Sequence, residues 1–274
     1  MTDLVLRCGS ALEVFEVEFE VPESVVLHLM SLPNLVIWRS AQPAPTKLLS
    51  SPLIPAVPFA HLGYLALSTT TPHDWLSFIN ALVREKSRLP PMSHVPAFSF
   101  CNLTNFDMDR PNGQECIYSC TFILTDSDIS LLADALPRLE WVWFGTPCPF
   151  NTCQTTFRSL HTLSTRCPHL QHLCIHINMS TLVQDIRSVL EEDDQRTETQ
   201  GARPIPSVGK RSCALDFRYA HHLPLEENVG VGDLEVIARG LFDISVTLSV
   251  SVAASDSNSE LWAKVSEGIK ALHV

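Results

Sequence analysis

The chain of 274 residues carries 19 basic against 30 acidic side chains, a formal charge of −11. The acids prevail along most of its length, which excludes the basic patch that a nucleic-acid binder uses to displace phosphate counterions. Hydrophobic residues make up 45% and charged residues 18%, which excludes an intrinsically disordered chain.

Bulky apolar residues recur with the spacing L-x-x-L-x-L, and this repeat orders the chain. The first copy is Leu12/Phe15/Val17, where Phe15, Val17 and Phe19 alternate with Glu16, Glu18 and Glu20 as in a half-buried strand. The second, Leu35/Trp38, loses its third place to Ser40. Residues 41–58 are proline-rich and read as an irregular connection. Leu62/Leu65/Leu67 follow, and then a helix that starts at Thr71-Pro72 and lines one face with Trp75, Phe78, Ile79 and Leu82. After Leu103/Phe106/Met108, Thr125 or Asp126 can cap a helix carrying Ile129, Leu132 and Leu136. Leu139/Val142/Phe144 leads to a stripe of Phe157, Leu160 and Leu163, and Leu170/Leu173/Ile175 to a helix after Ser180 with Leu182, Val183, Ile186, Val189 and Leu190. Residues 191–211 have almost no bulky apolar side chain and are expected to form a mobile insertion. A weak copy, Leu215/Phe217, precedes a helix with Leu234, Ile237 and Leu241. Leu241/Ile244/Val246 supplies the last strand signal, and Leu261, Val265, Ile269 and Leu272 mark a terminal helix.

Strand, turn, helix and return give each unit an apolar face that it cannot bury alone. The expected fold is therefore α/β, a leucine-rich-repeat solenoid over residues 1–274 with parallel strands on its concave side and helices on its convex side. A compact α/β sheet would alternate the same elements but has no reason to repeat the spacing. The amino terminus shows no secretory signal. The most apolar stretch, residues 53–67, is broken by Pro55, Pro58 and His61, so no membrane segment is expected. Nine cysteines, several of them in apolar runs, fit reduced thiols in a cytoplasmic or nuclear protein.

Residues 124–186 read LTDSDISLLADALPRLEWVWFG, then TTFRSLHTLSTRCPHLQHLCIHIN, then LVQDI. These phrases resemble the leucine-rich-repeat regions of fungal F-box proteins, in which a helix ending in "LPRLE" or "CPHL" leads into each strand. SLPNL at residues 31–35 and VIARGLFDI at residues 236–244 look similar. The resemblance implies substrate recognition within a cullin ubiquitin ligase, and a Skp1-type adaptor as partner where an F-box is present. No F-box is visible, because the first 20 residues already read as a repeat strand. A free-standing leucine-rich-repeat scaffold without any ubiquitin-ligase role is the alternative.

If the repeat residues point inward, the residues between them face the concave surface. That ladder runs through Glu16 and Glu18, Arg39, Tyr64, Ala66 and Ser68, then Asn105, Asp107 and Asp109. It continues with Trp141 and Trp143, His172, Cys174 and His176, Asp216 and Arg218, and Asp243 and Ser245. Trp141 and Trp143 are the expected partner anchors, with Tyr64, Asn105, Asp107, Asp109, His172 and His176 as polar neighbours that fix orientation. His172, Cys174 and His176 are zinc-type ligands, but the outer two lie about 13 Å apart along a strand, so no metal is expected. Gly209-Lys210 lacks the earlier glycine and the following hydroxyl of a phosphate loop. No nucleophile stands in an activating motif, so neither an enzyme nor a cofactor is expected.

Overall fold

The structure, a computed structural model, describes residues 11–41, 43–55, 57–69, 71–86, 99–109, 122–145, 154–175, 177–178, 181–200, 214–216, 231–244, 263–265, 267–268 and 271. Strands β1 (Val14–Val17), β2 (Ile37–Ala41), β3 (Tyr64–Ser68), β4 (Asn105–Asp109), β5 (Trp141–Phe144), β6 (His172–Cys174) and β7 (Ala214–Asp216) form one sheet in chain order, every pair parallel. The sheet is open, with β1 and β7 at its ends. Between the strands lie helices α1 (Glu23–Ser31), α2 (Pro72–Lys86), α3 (Asp126–Ala135), α4 (Phe157–Arg166) and α5 (Leu182–Gln200), and α6 (Val231–Ile244) follows β7. A short 3-10 turn, Thr46–Ser50, replaces the helix between β2 and β3. When parallel strands run in chain order, crossovers of one hand place every helix on the same face. Successive helices from α2 to α6 accordingly pack on one another, and the opposite sheet face carries none of them.

The L-x-x-L-x-L spacing sets the register. Its second positions form one row across the sheet, Phe15, Trp38, Leu65, Phe106, Val142, Leu173 and Leu215. Phe15 to Leu173 in that row are buried, as are Leu35, Leu62, Leu103, Leu139 and Leu170 at the first positions. Ser40, at the third position of the second copy, is buried too. These side chains and the inner faces of the helices form a single core. An aromatic stack reinforces it, with Phe59 against Trp38 at 5.0 Å and against Phe100 at 5.1 Å. Phe59 and Phe100 hold left-handed backbones, φ 56 and 57, a strain of about 1 kcal/mol each that their stacked, buried rings offset.

The phrases SLPNL, LPRLE and CPHL have a common physical content. Leu32, Leu136 and Cys167 end α1, α3 and α4, and their N–H groups still bond the helix carbonyls of Leu29, Leu132 and Leu163. The next residue is proline, which cannot continue the helix. The chain then turns back, Leu139 N donating to Leu136 O at 3.3 Å and Leu170 N to Cys167 O at 3.1 Å. Phe59/Leu62 and Phe100/Leu103 make the same turn at 3.3 and 3.0 Å without the proline.

Polar side chains tie successive helix starts together. Thr125, not Asp126, caps α3, in a box where its hydroxyl accepts from Asp128 N and the Asp128 carboxylate accepts from Thr125 N. Asp126 instead reaches forward to the next unit, accepting from Thr156 N at 2.7 Å, Thr156 Oγ1 at 2.7 Å and Ser159 Oγ at 2.5 Å. Thr156 in turn caps α4. Asp128 meets His73 of α2 at 2.6 Å, a contact that raises the imidazole pKa. Thr71 begins α2 as expected through its carbonyl, which accepts from Trp75 N at 3.4 Å, but its buried hydroxyl has no partner among the described residues.

Two expectations are corrected. Residues 191–200 of the expected mobile insertion continue α5, which runs Leu182–Gln200. Glu, Gln and Arg are strong helix formers, so a helix already nucleated by buried Leu182, Ile186 and Val189 extends through them. Arg158 of α4 also clamps Glu192 at 2.5 Å. Residues 201–211 lie outside the described residues. Leu241 and Ile244 belong to α6 rather than to a strand, and Asp243 with them, because an apolar pair three residues apart suits a helix as well as the repeat. Val246, Ser245, Phe217 and Arg218 lie outside the described residues, and of the four residues expected to mark the terminal helix only Val265, helical and buried, lies among them.

Candidate partner-binding face

Alternation along each strand brings the intervening residues onto the face opposite the helices. Register arranges them in rows. Tyr64, Asn105, Trp141 and His172 are neighbours across β3 to β6, and two residues along the strands so are Glu16, Arg39, Ala66, Asp107, Trp143, Cys174 and Asp216. Ser68 pairs with Asp109 in a third row. The structure thus brings together Tyr64, Asn105, Asp107, Asp109, Trp141, Trp143 and His172; His176 lies outside the described residues.

The tryptophans differ. Trp141 is 40% exposed and lies against the His172 ring, centroids 4.4 Å apart and tilted by 40°. Trp143 is half-buried, and its indole Nε1 is buried with no hydrogen-bond partner among the described residues. A buried N–H left unpaired costs about 1–3 kcal/mol, and Trp38 Nε1 in the core bears the same cost among the described residues.

One feature of the face was not apparent in the linear ladder. Arg39 and Asp107 flank Ala66 in register, two strands apart. Strand spacing puts their backbones about 9.6 Å from each other, too far for a direct bond between such side chains lying upright. Tyr64 spans the gap diagonally: its hydroxyl accepts from Arg39 Nη2 at 3.1 Å and donates to Asp107 Oδ2 at 3.3 Å. The Arg39 guanidinium also sits over the Tyr64 ring, 5.7 Å from its centroid, and 4.0 Å from Glu16. These side chains roof Ala66, which is only 5% exposed although it stands on the open face.

Burial, and secondarily the neighbouring Asp109, push the Asp107 carboxyl up to about 6. The Tyr64 hydrogen bond and Arg39 act in the opposite direction without cancelling this. Asp109 folds over Gly145 at the end of β5, where a Cβ would overlap its carboxylate, so residue 145 must be glycine for that placement. Cys174 is half-buried in the row of Trp143.

No cluster of three or more His, Cys, Asp or Glu residues that could hold a metal occurs among the described residues. None of the described helices is long and apolar enough to cross a membrane. What the face offers is recognition chemistry: an exposed aromatic plate, a second indole with an unused donor, and carboxylates held in register beside them. No protein-family model matches the chain, and no curated protein matches it.

Proposed function

We propose that this chain is a leucine-rich-repeat recognition module that holds a protein partner on the open face of its sheet. The observation that carries the reading is the row of repeat residues buried on the helix side from β1 to β6, which places the alternate row on the sheet face away from the described helices. A compact α/β sheet wound on both sides would cover that row with helices. Trp141 and Trp143 stand near its middle, where aromatic anchors of protein interfaces concentrate.

The phrases at the helix ends, similar to those of fungal F-box proteins, favour one setting for this recognition: presentation of a substrate within a cullin ubiquitin ligase. Affinity purification from the source cells with wild-type chain and with Trp141→Ala tests the face. A partner recovered by both in equal amounts would defeat the proposal. Recovery of a Skp1-type adaptor in the same material supports the ligase setting, whereas a partner bound without the adaptor supports a free-standing scaffold.

A further inference from the structure

The strands of the open face are unbalanced in charge. Arg39 is the only arginine or lysine among the described strand residues, against Glu16, Asp107, Asp109 and Asp216. Arg39 is committed to the β1 to β3 side, where it lies over Tyr64 and beside Glu16. On the other side of Asp107 stands Trp143, its register partner on β5, with Trp141 beside Asn105 one pleat away. One carboxylate of β4, Asp107, thus lies beside an indole of β5, Trp143, at the spacing of adjacent strands, about 4.8 Å, and the amide of Asn105 lies beside Trp141. His172 covers part of Trp141, yet 40% of that residue stays exposed.

We propose that Asp107 of β4 and the β5 tryptophans form a cation-recognition patch that takes an arginine side chain from a basic segment of the partner protein. The inference rests on the recognition-module reading and specifies the chemistry of what is recognised. A guanidinium is the cation of choice because it is planar, stacks on an indole face and presents a fork of donors to a carboxylate. The protein already makes this arrangement once within itself, where Arg39 lies over Tyr64 and is linked through the tyrosine hydroxyl to Asp107. Trp143 and Trp141 offer an equivalent aromatic surface on the opposite flank of the same carboxylate. The raised pKa of Asp107 agrees, because burial, and after it the neighbouring Asp109, disfavour its charge, which a bound cation would favour. The chain's overall charge of −11 steers a basic segment toward it and disfavours an acidic one.

Selection of a random displayed-peptide library on immobilised wild-type chain, with Trp141→Ala and Asp107→Asn chains as counter-targets, tests this. Trp141 is exposed and Asp107→Asn preserves volume, so circular dichroism of both variants should match wild type and confirm that they fold. The expected result is a set of peptides enriched in arginine, whose affinity falls about tenfold on either substitution, and falls similarly when the peptide's arginine is replaced by glutamine. Peptides that depend on Trp141 but show no enrichment in arginine would overturn the cation inference and leave the recognition face standing. Peptides indifferent to Trp141 and Asp107 alike would overturn both.

Discussion

Replacing Asp107 by asparagine decides whether the Arg39–Tyr64–Asp107 array is a device for stability or a cost borne for another purpose. An unfolded aspartate titrates near about 3.9, and in the fold the carboxyl is raised to about 6. The folded chain therefore holds the proton more tightly. Below about pH 4 both states are protonated and the group is neutral to stability. Between about pH 4 and 6 the unfolded state ionises first, so stability falls as pH rises; above 6 the penalty is complete. About two pH units at about 1.4 kcal/mol each give about 3 kcal/mol, and partial solvent screening of this half-buried group reduces that to about 1–2 kcal/mol. Asparagine has no charge to desolvate and keeps an oxygen to accept from Tyr64, so its lost hydrogen-bond strength subtracts only about 0.5 kcal/mol. Asp107→Asn is expected to stabilise the chain by about 1 kcal/mol at pH 7.5 and to leave it unchanged near pH 4.5. Urea unfolding followed by tryptophan fluorescence across that range measures the difference. A variant less stable than wild type at pH 7.5, or a difference that does not change with pH, would refute the reasoning and make the array an ordinary stabilising network.

Asp126→Ala leaves Thr156 N and the hydroxyls of Thr156 and Ser159 without their acceptor, and should cost about 1–3 kcal/mol in thermal or urea unfolding. Gly240→Val should destabilise by about 2 kcal/mol or more in the same assay, because even a Cβ at Gly240 would come within 2.5 Å of Ile186 Cγ2 and 3.2 Å of Phe157 in the contact of α6 with α5 and α4. Burial pushes the Cys167 thiol up to about 12, so iodoacetamide at pH 8 should modify it only after denaturant is added, as peptide mass mapping would detect. Labelling of Cys167 in the folded chain at the rate of a free thiol would show that the α4 end is open.

Evolution of a stable core does not require the features gathered on the open face. The unpaired Trp143 donor and the raised Asp107 each act against folding, and they occupy adjacent strands.

The amino-acid sequence by itself determined which residues of each unit are buried and how the strands align, because L-x-x-L-x-L is a local pattern whose alternation assigns each side chain to a face. It likewise determined the turns after α1, α3 and α4, since proline after the last helical residue acts within a few bonds. Tertiary structure alone decided matters that depend on distance across the sheet. Tyr64 links Arg39 to Asp107 diagonally over Ala66, and Asp126 serves the next helix rather than its own. It also decided ambiguous local signals: Leu241 and Ile244 fit strand and helix spacing alike, and residues 191–200, polar enough for a loop, became helix because α5 was already anchored in the core. Backbone pattern is written in neighbouring residues, whereas side-chain partnership is set by which strands the fold lays side by side.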